Sequence, residues 1–430
     1  MRTLVHPGAV LMHWLTILFV LAVVCGTALQ LWLAGRQVTA VASHRAQVPQ
    51  PFDAQISASD HAKAADYTIA TVSFRRIETV FEAVVLLALT LGGGLATIDA
   101  LWRRTGWSGE WLGTAVVLTT LCLTGLLGLP FSIWRTFVLE ERFGFNRLTA
   151  RLFVLDRLKG LLLALLLGGP AVLAVLSLMQ RAGAAWWLWA WGLWLGFMLL
   201  MSWAWPVLIA PLFNKFSPLQ DPVLVARIES LLQRCGFASK GVFVVDGSRR
   251  SAHGNAYFTG IGRNKRIVFF DTLLERLQPS EVEAVLAHEL GHFSLRHVRK
   301  RLLVSLAASF CGLALLGWLA GQPAFYSALG VPTPSTHAAL LLFLLAVPPF
   351  ALFATPLTSG WSRRHEFEAD AFAARTASAR ELATALVKLY RDNASTLTPD
   401  PVYCAFYYSH PPALTRITRL LAQPLSAKAP

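Results

Sequence analysis

Long apolar runs separated by shorter charged stretches dominate the hydrophobic pattern of this chain. Each run is about 20 residues long, which is the length that an α-helix needs to cross the hydrocarbon core of a bilayer. The pattern therefore predicts seven membrane spans, at residues 8–34, 79–101, 112–134, 158–179, 184–209, 302–320 and 337–358. The first run includes His13 and is too long for a cleaved signal peptide, so it is interpreted as a retained span.

The pattern changes between the fifth and sixth runs. Residues 222–235 have the period of an amphipathic helix, and 242–246 predict a strand. Residues 256–259 and 266–270 flank a Gly-rich turn and predict a hairpin. The chain is thus divided into a five-span region (1–214), a soluble catalytic segment (215–300), two further spans (301–359) and a polar C-terminal segment (360–430). The predicted fold class is mainly α, a polytopic seven-helix membrane bundle with a small α+β domain.

Composition supports a membrane protein. Hydrophobic residues make up 55% of the chain and charged residues 14%, well below the roughly 25% charged residues of soluble domains. The net charge of +14 comes from Lys and Arg beside apolar runs, which is typical of loops that face anionic lipid and argues against a nucleic-acid partner. The five Cys form no CxxC motif and imply neither a disulfide framework nor a cysteine-rich metal site.

Basic residues are distributed unevenly across the predicted membrane. They are concentrated in 36–77 and 135–159, whereas loops on the other side carry only Arg2, Arg103, Arg104 and Arg181. The positive-inside rule then puts the N-terminus outside, and segment 215–300 and the C-terminus in the cytoplasm. The Ala-, Leu- and Trp-rich composition indicates a bacterial inner membrane; a eukaryotic chain would lie in the endoplasmic reticulum membrane.

A helix is predicted around residues 279–294. Pro279 stands at its start, and Ser280 followed by Glu283 predicts a capping box. Apolar residues recur at helical spacing along this segment, at Val282, Val285, Leu286 and Phe293.

The same helix carries an HExxH motif, His288 to His292. The two His are one turn apart on the same helix face and can share one metal ion. Glu289 lies about 100° around the helix, where it can hold the attacking water without being a ligand. A catalytic zinc site needs a third protein ligand from elsewhere in the chain.

Residues 362–370, SRRHEFEAD, are the candidate source of that ligand. Glu366 and Asp370 are spaced i,i+4 and share a helix face, so Glu366 could bind the metal while Asp370 orients a ligand His. His365 and Glu368 are predicted to point elsewhere. The alternative interpretation is a solvated charged helix beside a membrane exit.

These motifs together resemble the type I CAAX prenyl proteases, integral-membrane gluzincin metallopeptidases. The resemblance rests on HELGH and SRRHEFEAD, and also on EERFGFNR (140–147), PLFNKF (211–216), DGSRRSAHGNAYFTG (246–260), KRIVFFDTLLE (265–275) and YSHPP (408–412). It implies a ring of seven helices enclosing a large chamber, with a zincin-like catalytic domain on the cytoplasmic side. It further implies one Zn²⁺ held by His288, His292 and Glu366, with Glu289 as base and Asp370 beside a ligand.

The oxyanion donor and the substrate site stay open at this point. His410 and Tyr257 are candidate donors, and each could equally have a structural role. Asn255, Ala256 and Tyr257 resemble the strand along which such enzymes bind an extended substrate, although an ordinary hairpin strand is the alternative. Phe406-Tyr407 stands where the family often has an aromatic-His pair.

The expected function is zinc-dependent hydrolysis of peptide bonds in prenylated CAAX-type or other membrane-associated hydrophobic peptides. The expected partners are such a peptide or protein and the lipid bilayer. One alternative is a general membrane-protein quality-control protease. A site-2-type intramembrane protease would need the HExxH motif inside an apolar span, and a polytopic transporter with a fortuitous motif would not explain SRRHEFEAD.

Overall fold

Helices account for most of the structure, a computed structural model that describes residues 14–237, 239–259 and 266–422. Helices α1 to α8 cover Trp14–Ser43, Ala58–Leu89, Gly94–Arg103, Gly109–Trp134, Ala150–Leu163, Gly169–Arg181, Trp186–Ala204 and Ala210–Phe213. Helices α9 to α18 cover Pro222–Arg234, Asp271–Leu274, Pro279–Ser294, His297–Ala320, Pro323–Ala328, Thr336–Ala351, Thr355–Thr376, Ala379–Asp392, Pro401–Tyr407 and Ala413–Leu421. The mainly α fold class is confirmed.

Six helical segments in the described part of the chain are long and apolar enough to span a membrane, or seven if a bent pair counts as one span. Several contain wide π-helical turns: Arg135–Glu140 extends the end of α4, and Ala164–Gly168 joins α5 to α6. The bent pair is α2 and α3, which meet at 49°. The predicted continuous span at 79–101 is therefore wrong in detail, because Gly93 adopts a left-handed φ of 76° and interrupts the helix. His13 lies outside the described residues.

The outer faces of the spanning helices are apolar and exposed. Trp189, Leu303 and Leu357 have exposed fractions of 64%, 66% and 76%. Exposed apolar surface of this extent indicates contact with lipid rather than water. The spanning helices also extend well beyond the predicted runs: α1 continues to Ser43, and α2 begins at Ala58 inside the predicted polar loop.

A small four-stranded sheet lies in the segment predicted to be soluble. Its strands are β1 (Phe216–Pro218), β2 (Val242–Val245), β3 (Ala256–Thr259) and β4 (Arg266–Phe270), in the order β1-β2-β4-β3. The predicted hairpin strands β3 and β4 are antiparallel, with Ala256 opposite Phe269, whereas β2 and β4 are parallel. β1 was not predicted, because three residues are too few to show a period. β3 is left at the edge of the described sheet.

The buried core of this domain lies between the sheet and α9, α11, α16 and α18. Ile267 and Phe269 of β4 pack there with Leu286 and Leu290 of α11, and each is at most 1% exposed. α11 lies at the centre, because it contacts α9, α15 and α16. Apolar burial on this scale fixes the position of α11 and hence of the HExxH motif that it carries.

The capping box of α11 differs from the predicted one by two residues. Gln278 is the N-cap, and it forms the box with Glu281, whose carboxylate accepts the Gln278 backbone N–H at 2.7 Å. Ser280 instead donates to Glu381, and Glu283 pairs with Arg227 and Arg234 of α9. The prediction was wrong because Gln, like Ser, can accept a backbone N–H, and Pro279 fits the first helical position.

Candidate active site

α11 and α15 cross so that three candidate ligands meet. His288 and His292 direct their Nε2 atoms toward each other at 3.3 Å. Glu366 of α15 places Oε2 3.3 Å from His288 Nε2 and Oε1 3.3 Å from His292 Nε2. The helices approach closely at Gly291, where a Cβ would lie 3.0 Å from the Ala369 Cα atom. The site thus depends on a glycine inside the HExxH motif.

These separations fit a bound metal ion. A tetrahedral ion with bonds of about 2.0–2.1 Å, as zinc makes, holds its ligand atoms about 3.3–3.4 Å apart. Glu366 is only 3% exposed, and its Oε2 atom is buried without a hydrogen-bond donor. Arg416 Nη2 lies 3.6 Å from this oxygen, beyond hydrogen-bond distance, so a directly bound cation would still compensate its burial. Two imidazoles and a carboxylate are also a donor set typical of catalytic zinc.

The second nitrogen of His288 faces a buried ion pair. Its Nδ1 lies 2.9 Å from Oδ1 of Asp370, which is 3% exposed. Arg416 of α18 donates to both oxygens of Asp370, from Nε and Nη2, each at 2.7 Å. The carboxylate can therefore fix His288 as the tautomer whose lone pair is on Nε2, the nitrogen that would bind a metal.

Sequence reasoning missed Arg416. One signal for it was available: α18 buries Ala413, Ile417 and Leu420, and position 416 lies on that same face. A cation on the apolar face of an amphipathic helix is expected to have a buried anionic partner.

Glu289 lies beside the candidate ligands His288 and His292 and is half-buried. Burial raises the pKa of its carboxyl above the ordinary value, and the nearby His288 and His292 oppose this effect. A raised pKa brings a carboxylate closer to the range in which it exchanges protons efficiently with water at neutral pH.

Only one of the two candidate oxyanion donors lies near this cluster. His410 has its Nε2 3.5 Å from Oε2 of Glu366, and its side chain is 61% exposed, into the cavity that it lines. Tyr257 instead packs edge-on against Phe270, and it is not among the residues that line the cavity. The geometry therefore favours His410 over Tyr257.

The cavity beside the site has a volume of about 600 Å³. It extends from Arg416 and His410 to Gln37 and Val72, which belong to the first two spanning segments. Five tyrosines line it, at positions 67, 390, 403, 407 and 408. Of the predicted substrate-binding residues, Asn255 lines this cavity, while Ala256 packs against the domain core. The larger chamber implied by the resemblance stays a prediction.

Comparison with known proteins covers both halves of the chain. Residues 37–215 match a family described as CAAX prenyl protease N-terminal, five membrane helices, and residues 218–423 match Peptidase family M48. The CAAX prenyl protease 1 homolog of Oryza sativa subsp. japonica is 35% identical over 400 residues, which is 88% of this chain and 92% of that protein. The chain belongs to the type I CAAX prenyl protease family.

Other members of the family agree. CAAX prenyl protease 1 of Saccharomyces cerevisiae is 37% identical over 71% of this chain and 73% of its own length. The Homo sapiens homolog is 33% identical over 78% of this chain and 80% of its own length. The crystal structure of S. mikatae Ste24p superposes with a TM-score of 0.87 at 29% identity, covering 96% of this chain and 100% of that one.

Family membership confirms several predictions. The chain is a multi-pass membrane metalloendopeptidase that acts on peptide or protein substrates and needs a metal cofactor. The transporter and site-2-type alternatives are not favoured, because the match covers the membrane region and the catalytic region alike.

Proposed function

We propose that this protein is a zinc-dependent endopeptidase that cleaves prenylated CAAX-type or similarly hydrophobic peptides at the membrane. The observation that carries the proposal is the set of 3.3 Å separations among His288, His292 and Glu366. These three residues are the proposed ligands. When bound, zinc lowers the pKa of water to about 7 and polarises the scissile carbonyl.

Glu289 is the proposed general base. It removes a proton from the attacking water as the new C–O bond forms, and it returns a proton to the amine nitrogen as the C–N bond breaks. Its half-buried position beside the two His, and the raised pKa of its carboxyl, support this role. Asp370 holds His288 in the required tautomer and does not itself exchange protons with the substrate.

His410 is the proposed donor to the oxyanion that develops on the scissile carbonyl. It faces the cavity, and its Nε2 lies 3.5 Å from Oε2 of a proposed ligand, so its imidazole N–H could reach a carbonyl bound beside that ligand. Ser409 lies 3.0 Å from His410 Nδ1 and can fix the orientation of the ring.

The proposed substrate strand lies along the free edge of β3. Phe270 donates its backbone N–H to the Asn255 carbonyl at 3.0 Å, so the antiparallel alternation directs the backbone groups of Ala256 and Phe258 outward. An extended peptide can pair with those groups as an added strand. Such pairing uses only the main-chain groups of the substrate and depends little on its sequence. Selectivity among substrates therefore has to come from another part of the substrate.

The lipid is the proposed source of that selectivity. The cavity reaches the first two spanning segments, and each CH₂ group of a lipid chain that is buried there contributes about 0.8 kcal/mol to the free energy of binding.

The site is proposed to face the cytoplasm, because Arg299, Lys300 and Arg301 follow it at the start of α12.

The test compares one CAAX peptide with and without a farnesyl group on its cysteine. We expect hydrolysis of both, with a larger kcat/KM for the farnesylated peptide. The S-methylated peptide is the matched control, because it retains the thioether and lacks the lipid. Equal kcat/KM values for all three peptides would overturn prenyl recognition and favour general proteolysis of membrane-associated peptides.

A further inference from the structure

A second group of titratable side chains lies behind the proposed metal ligands. His297 begins α12 and is 1% exposed, and Glu368 of α15 accepts from its Nε2 at 2.9 Å. His365 of α15 is 2% exposed and stacks on His297. Neither the proposed mechanism nor the sequence motifs give these three residues a role.

Two histidines and a carboxylate suggest a second metal ion, but the ring geometry excludes one shared by both imidazoles. The rings of His297 and His365 are parallel to within 10°, with centroids 4.0 Å apart. An imidazole nitrogen binds a metal along its lone pair, which lies in the ring plane. Two parallel stacked planes do not meet at any point within about 2 Å of both rings, the length of a metal–nitrogen bond.

The contact with His292 gives the group another function. Nδ1 of His292 lies 3.0 Å from Nδ1 of His297, on the side of the ring away from His288 and Glu366. If Nε2 of His292 binds the metal, its Nδ1 carries the proton and donates to His297. His297 then accepts at Nδ1 and donates from Nε2 to Glu368, so one tautomer satisfies every contact.

We propose that His297 and Glu368 form a hydrogen-bonded relay that fixes the tautomer and ring orientation of His292. His297 is thus a positioning residue, and the inference rests on the proposed role of His292 as a ligand. The relay is the counterpart of Asp370 on His288, with a neutral imidazole inserted between the ligand and the carboxylate. Arg364 donates from Nε to the other carboxylate oxygen of Glu368, at 3.2 Å, at the end of the relay away from His292.

The backbone is shaped to make this contact. α11 ends at Ser294 and α12 begins at His297, so the two helices are joined by only two residues. Arg296 has a left-handed φ of 60°, which is unfavourable for a residue with a Cβ. This turn brings His297 back against the helix that carries His292. A left-handed residue at a site is the kind of local strain that a functional contact can explain.

The test measures zinc affinity by chelator competition, and the visible absorption spectrum of the Co²⁺-substituted protein. His297→Phe keeps the stacked ring and removes both hydrogen bonds, so we expect affinity to fall about 10–100-fold, with an altered Co²⁺ spectrum. His297→Asn, whose side-chain oxygen can accept from His292 but which loses the hydrogen bond to Glu368, should lose less affinity than His297→Phe. Glu368→Leu should weaken affinity less than His297→Phe. Because position 368 is partly exposed, this variant should fold normally, and it therefore distinguishes loss of the relay from misfolding of His297→Phe.

His365→Phe is the matched control, because it removes a neighbouring histidine that does not contact His292. It should leave affinity and spectrum unchanged. Wild-type affinity and spectrum in both His297→Phe and Glu368→Leu would overturn the relay. A second bound ion that is lost in His365→Phe would also overturn it, in favour of a second metal site. A wild-type protein that binds no zinc would overturn the proposed function instead, together with this inference.

Discussion

At the scale of single residues, each proposed zinc ligand histidine has a partner on its outer nitrogen. Asp370 holds His288 directly, and Arg416 holds Asp370 through two hydrogen bonds of 2.7 Å. All three residues are at most 6% exposed. Removing one partner from a buried ion pair leaves the other charge without compensation, which commonly costs about 3–5 kcal/mol.

Arg416→Met should therefore destabilise the protein and weaken zinc binding, since Asp370 loses its counter-charge and His288 its fixed orientation. We expect a lower Tm in detergent, corresponding to about 3–5 kcal/mol, and a lower zinc affinity. Arg419→Met on the exposed side of the same helix is the control: it removes only a cation–π contact with Phe367, so it should lower Tm much less and leave zinc affinity unchanged. An Arg416→Met protein with wild-type Tm and affinity would refute the structural importance of the pair.

Sequence spacing could predict the candidate ligands but not their surroundings. The i,i+4 spacings of His288 with His292 and of Glu366 with Asp370 specify shared helix faces. Arg416 is 46 residues from Asp370, and no local pattern specifies a contact over that distance. The contact of His297 with His292 was not predicted, because it depends on the left-handed turn at Arg296. An arginine at that position does not predict a left-handed φ.

At the scale of elements, the crossing of α11 and α15 assembles the site. Ligands from both helices meet only because Gly291 permits contact with Ala369 and Phe372, to which a Cβ would approach within 3.0–3.1 Å. Both helices were predicted at these positions. Their crossing was not, because packing between distant segments is decided by surface shape rather than by local periodicity.

Gly291→Ala should push the two helices apart while leaving every proposed ligand in the chain. We expect destabilisation of about 1–3 kcal/mol from overpacking, together with a loss of zinc affinity and turnover. Tm and zinc content of the purified protein measure both effects. Gly360→Ala on α15 is the control, because its Cβ would meet only Arg363 Nη2 at 3.6 Å. Full zinc content and turnover in Gly291→Ala would contradict the close-crossing account.

At the scale of the whole molecule, apolar run length predicted the spanning regions well. The break between α2 and α3 was missed because the hydropathy of 79–101 stays high through Thr90–Gly93, while the bend depends on backbone conformation at the glycines. Orientation in the membrane is a separate matter, and it rests on the distribution of basic residues.

The proposed orientation puts the C-terminus in the cytoplasm and the loop at Gly106, between α3 and α4, outside. In a bacterial host, a C-terminal fusion to alkaline phosphatase should be inactive, and a C-terminal fluorescent protein should be bright. A phosphatase fused after Gly106 is the control and should be active. Phosphatase activity at the C-terminus but not at Gly106 would invert the orientation.

The central claim, that zinc held by two helices acts with Glu289 on water, is tested most directly in Glu289→Gln. Zinc content and peptide turnover should be measured on the same purified sample, with His288→Ala as the control. Because Glu289 contributes to proton transfer and not to metal binding, we expect Glu289→Gln to retain about one zinc ion per chain and to lose hydrolysis. His288→Ala should lose both. Near-normal turnover in Glu289→Gln, or full activity in a zinc-free wild-type protein, would contradict the account.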